Sequence, residues 1–370
     1  MFSEEHLYSI ALRQASFIGD INFSKLVNAY GTAKNAWEFA KSDMASTVQG
    51  IGRKMISEIG SKEHLNFAEK ELRFCENNAV QILLRHTEQY PSLLNECVDA
   101  PAIIYIKGSL QKLEHSLSIV GTRNMTVYGK TFLEDFFGQI SKFKLQTVSG
   151  LALGVDTCVH EQSILHKIPT VAVLAHGFQT LYPAKNKKLA EEILNQGGVL
   201  LTEFNSSQKP DREHFIQRNR IIAGLSPSTL VVETGFGGGS MSTANFANIY
   251  DRDVYALPGK ITDTHSQGCN QLIFQNKANI ISTIKSLIEQ LGFKKSKEKM
   301  EELFPVESQM VTLTDPQQII HKAVVEKPYI SLDDLSEITD MPSHKLLPII
   351  LELELLGKLQ AFSGRKFLAL

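Results

Sequence analysis

Residues 118 to 123 read Ser118-Ile119-Val120-Gly121-Thr122-Arg123, a short β-branched run that stops at a glycine and ends on a cation. The pattern recurs at Leu145-Gln146-Thr147-Val148-Ser149-Gly150, Thr170-Val171-Ala172-Val173-Leu174, Gly198-Val199-Leu200-Leu201-Thr202-Glu203 and Thr229-Leu230-Val231-Val232-Glu233, with helical stretches between. A further run, Val254-Tyr255-Ala256-Leu257, ends in Pro258-Gly259. Strands this apolar have no wet face, so they predict a mainly parallel sheet covered by helices on both sides, an α/β core. In such a sheet ligands bind at the carboxyl ends of the strands. The loops after these runs are therefore where function is expected.

On the N-terminal side, residues 1 to about 75 space their apolar residues as helices do, in Leu26, Val27, Tyr30 and again in Trp37, Phe39, Ala40. Gly50-Ile51-Gly52 stands directly before a helical stretch that opens with Arg53 and Lys54. A helix start of this kind seats a phosphate on its free amides, and it serves equally as a tight interhelical turn. On the C-terminal side, residues 293–310 begin Phe293-Lys294-Lys295-Ser296-Lys297-Glu298-Lys299 and read as a charged linker. Residues 311–370 offer helical stretches at Pro316–Val325, Ser331–Ile338 and Ser343–Leu356, then a hairpin turning at Ser363-Gly364-Arg365. Three helices and a hairpin predict a winged-helix domain. Its third helix presents His344, Lys345, Glu352 and Glu354 with Pro348 inside, which suits packing or a protein partner better than major-groove reading.

Composition narrows the function classes. The 370 residues are 43% hydrophobic, and 38 cations against 40 acids leave a formal charge of −2. That excludes a whole-molecule cationic coat for nucleic acid or membrane and leaves local basic sites open. Cys75, Cys97, Cys158 and Cys269 form no CxxC pair and read as reduced thiols of a cytoplasmic protein. The first residues lack the pattern of a signal peptide, and no stretch approaches the roughly 20 apolar residues of a membrane span.

The loops are equipped for phosphate and poorly equipped for bond-breaking. Gly129-Lys130-Thr131 resembles the end of a P-loop, but the glycine such a loop needs five residues earlier is Asn124. A dinucleotide loop needs three glycines after the first strand, and only Gly121 is there. Arg123 ends the first strand, Ser149-Gly150 precedes Gly154 and a helix, and Gly238-Gly239-Ser240 opens the helix that contains Thr243. Helix-start amides with an arginine make a row of anion sites. Lys209 to Arg220 adds four cations against two acids around Phe215. That is the composition of a single-strand track, where cations hold phosphates and an aromatic stacks a base, and equally of a solvated helix with Phe215 in the core. Asp156 and His160 share a helix face and, with His176, could ligate a metal.

Taken in order, these motifs resemble the DprA/Smf family of DNA-processing proteins. The likeness runs through Tyr90-Pro91-Ser92-Leu93-Leu94, Pro101 to Gly108, Ile119 to Arg123 with Tyr128-Gly129, and Val148 to Asp156 with His160. It continues through Val171 to Leu174, Tyr182-Pro183, Phe215, Arg218 to Ser226, Gly239-Ser240 with Thr243-Ala244, and Pro258-Gly259 to Ile273. It covers about residues 80 to 285. The resemblance implies a Rossmann-like doubly wound core at 79–292, a helix-hairpin-helix or SAM-like helical domain at 1–78, and the winged helix. It implies a homodimer that binds single-stranded DNA, protects incoming DNA and loads RecA recombinase in natural transformation, with no catalytic residue, cofactor or metal.

Carried over by position, Arg123 is the phosphate clamp, Lys185 follows Tyr182-Pro183, and Arg212 and Phe215 lie further along the strand. Ser149, Gly150, Gly154, Asn219, Gly239, Ser240 and Thr243 line the pocket. Arg218 and Arg220 either bind DNA or hold the fold through buried pairs, and Arg53 and Lys54 are an additional candidate contact. Gly237-Gly238 stands where the family has a serine before its glycine, Ser242 replaces an aliphatic residue, and Asn276-Lys277-Ala278 replaces a Gly-Ala. The rival reading is an enzyme of the LOG-type phosphoribohydrolase group. The loop Thr234 to Met241 has that group's glycines but neither its proline nor its glutamate, so the general acid/base is missing.

Overall fold

The computed structural model describes residues 2–39, 48–110, 115–293, 313–362 and 366–369. The linker expected over 293–310 and the turn at Ser363-Gly364-Arg365 lie outside these, apart from Phe293. Two units are present, Met1–Ser296 and Lys297–Leu370.

In the first unit, helices α1 (Glu4–Gln14), α2 (Asp20–Tyr30), α3 (Ala33–Phe39), α4 (Arg53–Glu58) and α5 (Lys62–Asn77) precede strand β1 (Val80–Leu84). Then follow α6 (Ser92–Asn95), β2 (Ile103–Gly108), β3 (Ser116–Val120), α7 (Val127–Ile140), β4 (Gln146–Ser149), α8 (Val155–Leu165) and β5 (Thr170–Val173). The unit continues with α9 (Lys187–Asn195), β6 (Val199–Thr202), α10 (Arg212–Gly224), β7 (Ser228–Val231), α11 (Gly239–Ile249), β8 (Asp253–Ala256), α12 (Gln267–Phe274), β9 (Asn279–Ile280) and α13 (Ile284–Gln290).

The strands form one sheet in the order β1-β2-β6-β5-β4-β3-β7-β8-β9. From β6 to β9 every pair is parallel, and β1 and β2 add an antiparallel edge. Alternation across the pleat explains the all-apolar runs. Ile119 faces Phe132, Phe136 and Val159 in one layer, while Val120 faces Ile221, Ile222 and Ala244 in the other. After β3 the chain winds outward through β4, β5 and β6, then returns to place β7 on the other side of β3. The switch point between β3 and β7 is where a doubly wound sheet opens a crevice for ligand.

Helices α1 to α5 share a core with β1 and β2, in which Leu12, Phe23 and Leu26 pack with Ile82, Leu84 and Tyr105. Polar ties fasten them further. Glu71 of α5 is buried and accepts from Ser206 N at 2.7 Å and Oγ at 2.6 Å. Asp20 at the start of α2 accepts from Ala102 N at 3.0 Å and from Arg13 at 2.9 Å, and it pairs with Arg220 of α10 at 3.3 Å. Arg220 also pairs with buried Glu203.

The second unit contains α14 (Asp315–Glu326), β10 (Ile330–Ser331), α15 (Leu332–Thr339), α16 (Ser343–Leu355), β11 (Leu359–Phe362) and β12 (Lys366–Ala369). Its strands run β10-β12-β11, all antiparallel, over a separate core of Ile320, Val324, Leu335, Leu346, Ile350 and Leu353. The exposed side of α16 carries Leu347, Leu351 and Leu355 besides His344, Lys345 and Glu352, whereas Glu354 is half-buried and accepts from Ala361 N at 2.7 Å. No helix among the described residues is long and apolar enough to cross a membrane.

Removing Arg220 leaves the Glu203 carboxylate buried without its counter-charge, which typically costs about 3–5 kcal/mol. Arg220→Ala is therefore expected to lower the urea unfolding midpoint sharply, and Arg220→Met with Glu203→Gln is expected to recover part of the loss.

Candidate nucleic-acid interface

The loop after β3 carries Arg123 and is held from two sides. At the start of α8, Val155 N donates to Thr122 O at 3.1 Å. Gly154 there has φ +79, and a Cβ on it would run into the main chain of Thr122 and Arg123. On the other side, Thr126 donates through N at 2.9 Å and Oγ1 at 2.5 Å to Glu233, at the end of the run containing β7. Arg123 itself is exposed, with its guanidinium 5.2 Å from the centre of the Phe215 ring.

Phe215 comes from α10, whose N-cap Asp211 accepts from Glu213 N at 2.9 Å. Arg212 is exposed on the first turn. Residues 212, 215 and 219 follow helical spacing and share a face. The half-buried Phe215 ring meets Tyr182 at 5.7 Å and 67°, and Arg218 lies 5.9 Å from its centre. Arg218 is buried and donates to Val173 O at the end of β5. Asp156 of α8 supplies its counter-charge. Burial pushes the Asp156 carboxyl up and the Arg218 guanidinium down, and each charge opposes the shift of the other. Gly150 leaves the room these groups use, because a Cβ there would force the Asp156 carboxylate and the Arg218 guanidinium to shift. Arg218 and Arg220 are thus both buried on opposite sides of α10, Arg220 in ion pairs with Asp20 and Glu203 and Arg218 under the influence of the Asp156 charge.

The row of helix-start anion seats is shorter than the glycines imply. The start of α7 is filled by Glu233, α8 gives its first amide to Thr122 O, and α10 is capped by Asp211. The start of α11 has no side-chain cap. Asn219 positions it, donating to Gly239 O at 3.1 Å and Ser242 Oγ at 2.9 Å. Gly239 is exposed, Ser240 is buried at 7% exposure and Thr243 at 1%. Ser149 is fully buried and donates to Ile119 O at 2.7 Å, so its hydroxyl braces β4 on β3. Lys185 is exposed in the short 3-10 turn Ala184–Asn186 after the cis peptide Tyr182-Pro183. Asn186 anchors that turn, donating to Leu151 O at 2.9 Å, Ala152 O at 3.3 Å and Thr157 Oγ1 at 2.9 Å.

The structure therefore brings Arg123, Phe215, Asn219 and Gly239 to one crevice, with Gly150, Gly154, Ser149 and Arg218 beneath it. Arg53 and Lys54 open α4 instead, where both are exposed and Lys54 Nζ lies 4.7 Å over the Phe17 ring.

Asp156 and His160 share a face of α8, but their donors serve the protein. His160 Nε2 donates to Gly150 O at 2.6 Å and Nδ1 accepts from Thr170 Oγ1 at 2.8 Å, the tautomer being assigned from this network. His176 is held by Gly177 O and by Tyr182 N at 3.1 Å. The roles of Asp156, Asn186, Glu203 and Glu233 as positioning groups were not read from the sequence. The motif Tyr182-Pro183 with Asn three residues on is a local signal for Asn186, and the other three have none, because their partners are remote in the chain.

The strand order defines a doubly wound, mainly parallel α/β protein. A match to the model for DNA recombination-mediator protein A spans residues 81–292. The chain belongs to that family. The protein Smf of Synechocystis sp. is 34% identical over 301 residues, 79% of this chain and 74% of its own length. The X-ray structure of DNA processing protein A from Streptococcus pneumoniae is similar with a TM-score of 0.62 at 25% identity, covering 79% of this chain and 99% of that one. DNA processing protein A from Helicobacter pylori, a structure that addresses that protein's single-stranded DNA binding mode, has a TM-score of 0.53 at 27% identity, covering 58% and 97%.

Burial pulls His160 from its ordinary 6.5 down to about 4. A depressed histidine leaves stability intact above 6.5 and removes it as pH falls toward 4, because the unfolded chain takes the proton first. Burial pushes Glu203 up to about 7, and that acts in the opposite sense, its contribution being lost as pH rises through 7. The diagnostic is thus a difference between proteins. Between pH 7.5 and 5.0 the stability gap between wild type and His160→Gln in urea unfolding is expected to narrow by about 2 kcal/mol. A gap independent of pH would contradict the neutral, buried imidazole.

Proposed function

We propose that this chain binds single-stranded DNA at the β3–β7 switch point and passes it to a RecA-type recombinase, without catalysing a reaction. The observation that carries the reading is an exposed Arg123 packed on Phe215 and braced from below by the buried Arg218–Asp156 pair. A cation beside an aromatic face is the unit that grips one nucleotide without reading its base. Arg123 clamps a phosphate, Lys185 and Arg212 extend the track, and Phe215 stacks a base. The Gly239 and Ser240 amides receive a further phosphate. Ser149, Gly150, Gly154, Asn219 and Thr243 shape the pocket floor, and Arg218 and Arg220 hold α10.

A non-enzymatic role is supported by what the crevice acids do: Asp156 faces Arg218 and Glu233 caps α7, so neither is poised for proton transfer. The domains are read as a helix-hairpin-helix or SAM-like unit at 1–78 whose Arg53 and Lys54 add a phosphate contact, a Rossmann-like core at 79–292, a linker at 293–310, and a winged helix at 311–370 for protein contact. The protein works as a cytoplasmic homodimer that protects incoming DNA in natural transformation and loads RecA. Release of free base from a nucleoside monophosphate would instead favour the phosphoribohydrolase reading.

Titration of a labelled oligonucleotide at two salt concentrations tests the proposal. Single strands are expected to bind more tightly than duplex, with affinity falling steeply as salt rises, because each phosphate contact releases counterions. Arg123→Ala is expected to cost at least tenfold, in line with about 1.5–3 kcal/mol for a charge-assisted bond. A folded Arg123→Ala protein that binds as wild type does would overturn the site.

A further inference from the structure

We infer that Phe236 is a second base-stacking platform, on the opposite side of Arg123 from Phe215. The inference rests on the single-strand reading above and extends it to Phe236, which lies outside the motifs this chain shares with the family. Strand β7 lies directly beside β3, and Val232 N donates to Val120 O at 3.0 Å, which carries the pairing to the very ends of the strands. The loops that follow, the Arg123 loop and Thr234–Gly239, therefore flank the two sides of the switch-point crevice. Phe215 stands on the β5 side of Arg123, since its helix is pinned to Val173 and its ring meets Tyr182. Phe236 stands on the β7 side.

A single exposed apolar side chain needs no explanation on an ordinary surface. The setting of Phe236 is not ordinary. The ring is 64% exposed and is flanked by Gly235, Gly237 and Gly238, with Gly237 at φ +66. The base of the loop is fixed. Glu233 before it is bound by Thr126, three residues from Arg123. Thr234 O accepts from Gly268 N at 2.8 Å, Gly238 N donates to Gly235 O at 3.2 Å, and Gly239 O is held by Asn219 of the Phe215 helix. Both ends of the loop are thus tied to the residues that place the clamp, while the ring between its glycines stays open to solvent. A strand whose central phosphate sits on Arg123 presents one base to Phe215 and a neighbouring base to Phe236. Stacking of this kind tolerates any base, because every base has a π-face.

Val127, Tyr128 and Ile261 are also exposed near these strand ends, so a protein partner is the competing use of the ring. The test uses the full chain. Phe236→Ala is expected to weaken binding of an oligothymidylate about tenfold while leaving the salt dependence unchanged, since no phosphate contact is removed. Phe236→Tyr is expected to restore the affinity. In Phe236→Trp the new indole is expected to be quenched by oligothymidylate and not by an abasic strand of equal length. The native tryptophan, Trp37, is buried at 6% exposure in the N-terminal helices and supplies a constant background. If Phe236→Ala binds as wild type does and the indole is not quenched, while Arg123→Ala has lost binding, the inference is overturned and the site reading stands. If Arg123→Ala also binds normally, the single-strand reading falls with it.

Discussion

The crevice depends on one buried charge. Arg218 is a guanidinium taken out of water between Asp156, Val173 O and Asn219, and burying an arginine in this way is tolerable only when a counter-charge and acceptors meet it. Each neighbour is constrained in turn. A Cβ on Gly150 would push against the carboxylate and the guanidinium, and His160 keeps the Gly150 carbonyl in place. With Arg218 locked, Phe215 one turn earlier has a fixed underside, and its exposed side is presented to Arg123. The exposed arginine at the surface lies on a platform that the buried one supports.

Helix α10 is a hinge of information between two halves of the first unit. One side carries Arg212, Phe215 and Asn219 toward the strand ends. The other carries Gln217, bonded to Glu203 at 2.9 Å, and Arg220, which reaches Asp20 in the N-terminal helices. Glu71 of α5 meanwhile holds Ser206 in the segment that leads into α10. The N-terminal helices thus help to orient the proposed DNA groove through these bonds.

The parallel strands were legible because each is largely apolar on both faces, and a run such as Val171 to Val173 is apolar at every position. The antiparallel edge was not. Val80–Leu84 alternates buried and exposed residues, and Ile103–Gly108 is as apolar as any parallel strand, so local pattern cannot tell which neighbour either takes. The proposed site divides in the same way. The exposed place of Arg123 at a strand end was legible from the strand and glycine before it. The different fates of Arg212, Arg218 and Arg220 were not, since all lie on one helix and only the positions of Asp156 and Glu203, remote in the chain, separate them. The glycine count overstated the anion seats for a related reason: whether a helix start is open depends on whether a group such as Glu233 arrives from another strand.

Glu233 also bears on why this sheet does not read as a dinucleotide binder. In a doubly wound fold the first helix start is the natural seat for a pyrophosphate, held by fixed amides. Here a carboxylate from the neighbouring strand already bonds Thr126 N and Oγ1, so an anion at α7 would meet a negative charge where it needs donors. The proposed site places anion recognition further out, at Arg123, a long exposed side chain at the rim. A chain of −2 total charge exerts little field at a distance. On the proposed reading, contact made by a few rim cations over aromatic rings is short-ranged and sequence-tolerant, which suits a polymer gripped at many equivalent positions and then released to another protein.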